Sequence, residues 1–212
     1  MLGETVAQYV ADLHASHGVD LRTEVTVDQV LVGEDGPTGV RLGGTTIDAD
    51  LVVVATGAVP NDQLAEAAGL AVSDGIVVDD HFRASADGVW AAGDVARAGH
   101  ASLGQLRVEH WDNAIRQGKA AARSILGQDV VHDWQPYFFT DQFEFSMEYV
   151  GHASADDDVE IRGDLSEHQF IAYWLEGDVV TAAMNVGIWD VNDQLRELVG
   201  TTVRRTDLTD LR

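Results

Sequence analysis

The chain has 212 residues and a formal net charge of -23, with 36 acidic residues against 13 lysines and arginines and no cysteine. Disulfides, iron–sulfur ligation and zinc–thiolate sites are therefore excluded within these residues, and so acidic a surface disfavours nucleic acid as a partner. No apolar run approaches the roughly 20 residues of a membrane helix. Residues 1–5 lack the basic and apolar regions of a signal peptide, so we expect a cytoplasmic protein without membrane contact.

The first third of the chain has the patterns of a helix, a short strand, a hairpin, a buried strand and a second helix. In chain order these elements are predicted at residues 5–17, 19–22, 25–32 with 38–42, 47–55 and 63–68. The continuous apolar run Leu51–Ala55 is typical of a strand that is covered on both faces. Thr56 and Gly57 end this run, and Asp62 is a candidate N-cap for the second helix. This order is that of the second half of a dinucleotide-binding domain.

The middle of the chain carries the stretch that we expect to bind a ligand. Short strands are predicted at residues 75–79 and 89–92, a loop at 99–104 and a helix at 111–126. We expect this helix to direct Ile115, Ala122 and Ile125 toward the core. Gly93 follows the second strand and lets a ligand approach the backbone. Asp94 then places a carboxylate at the carboxyl end of a strand, where open α/β sheets bind ligands, and a sugar hydroxyl suits that acceptor.

The last third of the chain has the pattern of a small α+β domain. Apolar residues alternate with polar ones from Phe143 to Tyr149, which predicts a strand with one covered face. A hairpin is predicted at residues 169–175 and 179–186, and a terminal helix at 193–199. The acidic loop 156–158 lacks the glycine and glutamate of a calcium site, and the eight histidines lack ligand spacing, so we predict no metal site.

Four short motifs carry a resemblance to one family. They are Ala55-Thr56-Gly57, the stretch Gly88–Val95, Glu109-His110-Trp111, and Phe139-Thr140-Asp141-Gln142. On these motifs the chain resembles the flavoprotein pyridine nucleotide-disulphide oxidoreductases, above all the FAD-dependent ferredoxin reductases that serve oxygenases and cytochromes P450. The resemblance implies an α/β fold: a partial, doubly wound, glutathione-reductase-like FAD/NAD(P)-binding fold, then a small α+β reductase domain. The implied domains are the second half of an NAD(P)-binding domain at 1–72, the C-terminal half of an FAD-binding domain at 73–128, and a C-terminal reductase domain at 129–212.

The resemblance implies that five of these residues bind a cofactor. Asp94 would bind the ribityl chain of FAD, and the backbone of Val95, next to Gly93, would approach the pyrophosphate. Thr56 and Gly57 complete this group as cofactor-binding positions in the upstream motif.

Five further residues are assigned by the resemblance to the reacting part of the site. The backbone of Glu109, His110 and Trp111 would lie beside the pyrimidine edge of the flavin ring, and Trp111 would wall the nicotinamide side. Phe139 and Thr140 would approach the flavin edge through which electrons leave. The alternative roles are structural: a core position for Trp111 and for the aromatic residues near Phe139, and a surface position for His110.

The function implied by the resemblance is electron transfer from NAD(P)H through FAD to a [2Fe–2S] ferredoxin. The cofactor carries that chemistry, so no side chain is expected to act as an acid, base or nucleophile. Docking an acidic ferredoxin would need a local basic patch, and a solvated basic helix face is the alternative for the same residues. The densest candidate patch consists of Arg97, His100, Arg107, Arg116, Lys119 and Arg123.

Neither of the two glycine-rich fingerprints that this family carries in its N-terminal half occurs in the sequence. We therefore expect weak or absent binding of FAD and NAD by the isolated chain. A half sheet would expose a strand edge near Val52 or Val89, and we expect self-association or a complementing N-terminal portion to cover it.

The alternative functions are a non-catalytic remnant or interaction module without flavin, and a flavoenzyme like NADH oxidase, nitrite reductase or apoptosis-inducing factor. The absence of a His-Pro pair disfavours a disulfide reductase.

Overall fold

The computed structural model describes residues 2–211, and these form two compact units. One unit comprises residues 6–58, and the other comprises residues 59–211 with the first residues of the chain. The boundaries 1–72, 73–128 and 129–212 stay a prediction. Within residues 2–211, no helix combines the length and the apolar character that crossing a bilayer requires.

The unit of residues 6–58 contains a small antiparallel sheet. Helix α1 (Gly3–Ser16) leads into it, and the strands are β1 (Val27–Gly33), β2 (Gly36–Leu42) and β3 (Thr45–Asp48), paired in the order β1-β2-β3. The predicted helix and hairpin are thus confirmed. The predicted strand at 19–22 is wrong, because these residues are exposed and adopt no regular structure.

The predicted buried strand at 47–55 is also wrong beyond its first two residues. Ile47 pairs with Val40, but the chain from residue 49 to 62 has no regular secondary structure. Leu51 and Val53 are each 77% exposed. A buried strand needs a neighbouring strand to pair with its backbone as well as a layer over each face, and within residues 2–211 no segment pairs with this run.

The first part of the unit of residues 59–211 packs a short sheet against a long helix. In chain order its elements are α2 (Gln63–Ala67), β4 (Ile76–Val78), β5 (Ala96–His100), β6 (Gly104–Leu106) and α3 (Trp111–Ile125). Strand β5 pairs with β4 in parallel and with β6 antiparallel. Alanines 96, 98, 120 and 121 lie in the core between sheet and helix, together with Val78 and Phe82.

Two predictions at the ends of these elements are corrected. Residues 89–92 form no strand: only an isolated bridge joins Trp90 to Arg83, so Gly93 and Asp94 precede β5 instead of following a strand. Asp62 occupies the N-cap position of α2 as predicted, but its side chain makes no capping hydrogen bond, because its carboxylate accepts from the Gly75 N–H at 3.2 Å.

Helix α3 buries a different face from the predicted one. Ile115, Ala122 and Ile125 are exposed. The buried face carries two polar residues, Asn113 and Gln117. The Asn113 side chain donates to the Val108 carbonyl at 3.1 Å, and Gln117 accepts from the Gly93 N–H at 2.8 Å. Because both amide side chains are hydrogen-bonded, they can be buried, and their partners determine which face of α3 points to the core.

The C-terminal part of the same unit is a five-stranded antiparallel sheet with one covering helix. The strands are β7 (Tyr137–Gln142), β8 (Phe145–Gly151), β9 (Asp158–Asp164), β10 (Gln169–Glu176) and β11 (Val179–Val186), in the order β7-β8-β11-β10-β9, and the helix is α4 (Asn192–Leu198). The hairpin and terminal helix are confirmed. The predicted strand begins later, because Phe143 lies in a turn with φ 56 and is 53% exposed. Strand β9 is new, and Asp158 is its first residue.

A buried histidine makes the stability of this unit pH-dependent. Burial lowers the pKa of His132, whose ring lies against Phe82, Trp134 and His100 and hydrogen-bonds the Gly99 carbonyl at 2.8 Å through Nδ1. The unfolded chain therefore binds the proton more readily than the native one, so stability falls as pH drops below about 6.5.

We expect urea titrations at several pH values to show that the free energy of unfolding falls with pH, and His132→Gln to reduce this dependence. The same change at exposed His152 serves as the control; an unchanged slope in His132→Gln would contradict the assignment.

Candidate functional site

The segment Gly93–Val95 is a tight turn held against α3. Gly93 is buried with φ 81, and a Cβ added there would lie 3.5 Å from the Ala114 Cβ. Its N–H donates to Gln117 and its carbonyl accepts from the Ala96 N–H at 2.9 Å. Glycine suits this position because the positive φ disfavours other residues, whereas the distance to Ala114 is an ordinary van der Waals contact.

Arg107 holds the turn from the other side. Its guanidinium donates to the Asp94 carbonyl at 3.1 Å, to the Glu109 carboxylate, and to the Asp74 carboxylate at 3.0 Å. The hydrogen bonds that Arg107 donates to Asp74 and Glu109 raise the pKa of Arg107. Its side chain is 12% exposed, and Nε is buried without a partner. Sequence reasoning placed Arg107 in a docking patch and missed this role; its position two residues before Glu109 is the signal that could have revealed it.

The Asp94 carboxylate is exposed and takes part in no hydrogen bond or ion pair with residues 2–211. Val95 is half-buried, and its carbonyl accepts from the Ile76 N–H at 2.8 Å, which joins the turn to β4. The backbone of the turn is therefore fixed, while one carboxylate remains available as an acceptor.

The N-terminus of α3 is capped by His110. Its Nδ1 accepts from the Asp112 N–H at 3.2 Å, and its carbonyl accepts from the Ala114 N–H at 3.0 Å. An accepting Nδ1 places the proton of the neutral ring on Nε2. His110 is half-buried rather than a surface residue, and Trp111 is 59% exposed rather than a core residue.

Four rings form an aromatic cluster at this helix end: His110, Trp111, Tyr137 and Phe139. The Phe139 ring lies 5.9 Å from His110 and 6.2 Å from Trp111, edge to face in both pairs. Tyr137 lies 6.1 Å from His110 and 6.4 Å from Phe139. Phe139 is 41% exposed, so it is not a core residue. Thr140, next along β7, accepts from the Gln142 side chain at 3.2 Å.

The structure thus gathers most of the predicted site residues around the start of α3. Glu109 connects the two groups, because it is bound by Arg107 and precedes His110. Thr56 and Gly57 lie in the unit of residues 6–58, where both are exposed and Gly57 has φ 94. The role of each of these residues toward a cofactor stays a prediction.

Tyr137 is anchored by a polar network behind the aromatic cluster. Its hydroxyl donates to Oε1 of Glu148 at 2.8 Å, and the Asn185 amide donates to Oε2 at 3.1 Å. Burial, the hydrogen bond to Glu148 and the charge of that carboxylate raise the pKa of Tyr137 to about 12. Native Tyr137 keeps its proton at a pH where the unfolded chain loses it, so this contribution to stability is lost as pH rises from about 10 toward 12.

We expect Glu148→Gln to lower the pKa of Tyr137, because the negative charge disappears while the burial remains. A titration of the tyrosine ring carbons by NMR measures this, with Tyr137→Phe to assign the signal. Glu167→Gln, on the exposed β9–β10 turn, should leave the pKa unchanged. An equal pKa in Glu148→Gln and the unsubstituted protein would show that the carboxylate has no influence.

The predicted basic patch is divided in the structure. Arg97 lies on β5, where it is half-buried and donates to the Ser73 carbonyl at 3.3 Å. His100 is 6% exposed and Arg107 is occupied as described, so neither offers a docking surface. Arg116, Lys119 and Arg123 lie at helical spacing and line one shallow pocket. We call these three residues the basic stripe.

One grouping of possible metal ligands occurs among residues 2–211, formed by Asp79, Asp80 and His81. Its groups are already engaged: Asp79 accepts from the Arg83 guanidinium at 2.8 Å, and His81 bonds Asp80 at 2.7 Å and Asp129 at 3.2 Å. These bonds account for the grouping without an ion.

Comparisons with known proteins give two family matches. The family described as pyridine nucleotide-disulphide oxidoreductase matches residues 1–118, and the one described as reductase C-terminal matches residues 137–211. Putidaredoxin reductase of Pseudomonas putida is 35% identical over 191 residues, which are 85% of this chain and 44% of that protein. The ferredoxin reductase subunit of the 5,5'-dehydrodivanillate O-demethylase of Sphingobium sp. is 34% identical over 98% of this chain and 52% of its own length.

A solved structure gives the same result for the fold. The covalent putidaredoxin reductase–putidaredoxin complex superposes with a TM-score of 0.86 at 33% identity, covering 92% of this chain and 48% of that one. The chain spans about half the length of these relatives. The predicted fold class is confirmed.

Proposed function

The chain belongs to the pyridine nucleotide-disulphide oxidoreductase family, and from this premise we propose that it functions in an NAD(P)H-dependent FAD flavoprotein that passes electrons from a nicotinamide to a [2Fe–2S] ferredoxin. The observation that carries the proposal is the uncommitted Asp94 carboxylate, held on a rigid turn at the N-terminal side of α3. Relatives named as ferredoxin reductases support the electron acceptor.

The residues present fit FAD at two points. The Asp94 carboxylate is exposed, has no partner among residues 2–211, and can accept hydrogen bonds from sugar-like hydroxyls. The first turn of α3 offers backbone N–H groups that have no helical acceptor, and the helix dipole adds positive potential there. When bound, FAD would take a hydride from the nicotinamide and release single electrons.

The residues of this chain orient and enclose the cofactor in this proposal. Arg107 fixes the backbone of the Asp94 turn, so the carboxylate is positioned before binding. Trp111 and Phe139 are exposed aromatic surfaces set edge to face, which suits contact with a flat ring. Phe139 shields the side from which electrons leave, and the basic stripe of α3 attracts an acidic ferredoxin.

The binding of FAD tests the proposal directly. We expect weak but measurable quenching of flavin fluorescence when the chain is titrated into FAD. Asp94→Ala should weaken this binding by at least about tenfold, the size expected for hydrogen bonds to a charged acceptor. Asp178→Ala, in the exposed β10–β11 turn, is the matched control. Retention of flavin through gel filtration, followed by bleaching with NADH, would show stronger binding than we expect.

A second candidate, an interaction module without flavin, is favoured by the exposed apolar run that includes Leu51 and Val53. The same titration separates the two functions. No quenching at high FAD concentration, with identical results for Asp94→Ala, would favour the second candidate.

A further inference from the structure

Two adjoining depressions of about 570 and 270 Å³ open beside Tyr137, and Phe139 lines the smaller one. They share Tyr137, Glu148 and Trp189, so they form one continuous groove along β7, β8 and the loop before α4. We call it the acidic groove, after its carboxylates Asp112, Asp141, Glu148, Asp190 and Asp193.

The two arginines of the acidic groove offset only two of its five carboxylates. Arg116 is committed to Asp112, with Nε 2.8 Å from Oδ2. Arg196 donates to the Asn192 side chain at 3.1 Å and to the Gln135 carbonyl at 3.4 Å, both neutral acceptors. Its guanidinium lies 5.9 Å from the centre of the Tyr137 ring.

The remaining carboxylates have no cationic partner among residues 2–211. Glu148 accepts only from the neutral donors Tyr137 and Asn185. Within residues 2–211, Asp141, Asp190 and Asp193 form no ion pair at all. The groove therefore carries an excess of negative charge beside the residue proposed to cover the electron exit.

An exposed aromatic face completes the groove. Trp189 is 55% exposed on the loop before α4, and Phe139, which lines the smaller depression together with Trp189, is 41% exposed. A tryptophan face attracts guanidinium and ammonium groups, more strongly when carboxylates lie near it. A metal ion is a poor fit, because among residues 2–211 no three of these carboxylates come within 4.8 Å of one another.

We propose that the acidic groove receives an arginine or lysine side chain from the protein that docks over Phe139. The long aliphatic stem packs on Trp189, and the charged end pairs with Asp190 and Asp193; the planar guanidinium of arginine suits both contacts best. This inference rests on the proposed function only for the identity of that partner as an electron acceptor.

The inference adds a requirement to the partner's surface. Arg116 lines both the acidic groove and the pocket of the basic stripe, so positive and negative surfaces adjoin there. The partner must then present an acidic patch toward Lys119 and a cationic side chain toward Asp190. A partner that is acidic throughout is disfavoured, which gives the interface an orientation as well as an affinity.

The test uses neither flavin nor ferredoxin, so it is independent of the FAD titration. The probes are two blocked tripeptides that differ only in a central arginine or glutamate between leucines. Binding is followed through the indole N–H signal of Trp189 in NMR spectra, assigned with Trp189→Phe.

We expect the arginine peptide to shift this signal and the glutamate peptide to leave it unchanged. The double variant Asp190→Asn with Asp193→Asn should weaken binding about fivefold, while Glu167→Gln with Asp178→Asn should keep it. The proposal is overturned if the arginine peptide causes no shift, if both peptides bind equally, or if the groove variant retains full affinity. A thermal melt of each variant shows whether it is folded.

Discussion

Replacing Leu195 by alanine lowers the free energy of unfolding by about 2–5 kcal/mol, because the change leaves a cavity between α4 and the five-stranded sheet. Leu195 is fully buried, and it packs in one cluster with Ile171, Tyr173 and Val180. The helix has seven residues and depends on this contact, since so short a helix has little stability of its own. Urea denaturation followed by tryptophan fluorescence measures the loss.

Leu126→Ala provides the matched control for this prediction. Leu126 follows α3 and is 75% exposed, so the same deletion of atoms should change the free energy of unfolding by less than about 0.5 kcal/mol. Equal effects of the two substitutions would mean that α4 does not anchor the sheet. If instead Leu195→Ala is destabilising and also abolishes binding of the arginine peptide, the geometry of the acidic groove depends on the seating of α4.

Much of the sheet of residues 137–186 could be predicted, because the alternation of apolar and polar residues is visible within the sequence of a single strand. Phe145, Met147 and Tyr149 alternate with polar residues, and each is buried as the pattern requires. Strand β9 was not predicted from the sequence. It is an edge strand of the sheet, so its residues are mostly polar and only partly buried. The charged side chains of Glu160 and Arg162 pair with each other at 2.9 Å instead of marking a core face.

The run Leu51–Ala55 shows the limit of such patterns. An apolar sequence favours a covered strand, but pairing depends on neighbours that the run itself does not specify. The face of α3 escaped prediction for a related reason. Periodicity favoured Ile115 and Ile125, whereas the buried amides of Asn113 and Gln117 are acceptable only because distant backbone groups satisfy them.

The candidate site was predictable as a motif but not as an arrangement. Gly93 and Asp94 were identified from the sequence, and the position of Arg107 beside the Glu109 motif was a signal, but the contact of Arg107 with the Asp94 carbonyl joins residues that are distant in the chain. Likewise the edge-to-face contact of Trp111 with Phe139 joins α3 to a strand more than twenty residues later in the chain. Long-range contacts between side chains are what sequence spacing does not encode.

Gln117→Leu should cost about 1–3 kcal/mol of stability, because the shape of the side chain is nearly kept while the buried Gly93 N–H loses its acceptor. Gln117 is 1% exposed, and its hydrogen bond to Gly93 measures 2.8 Å. The same bond seats the turn that carries Asp94, so the affinity for FAD should fall together with stability. Urea denaturation and the flavin titration measure the two effects on one sample.

Gln128→Leu, beyond the end of α3 and exposed, is the control and should change neither quantity. Comparison with Asp94→Ala then distinguishes a residue that positions the Asp94 turn from a residue that contacts the cofactor. Loss of FAD affinity without loss of stability is expected when Asp94 is removed, because its carboxylate has no partner in the chain, whereas both must fall when Gln117 is replaced. If Gln117→Leu lowers stability and leaves FAD affinity intact, the Gly93 turn is a structural connection only, and the cofactor is bound elsewhere than at Asp94.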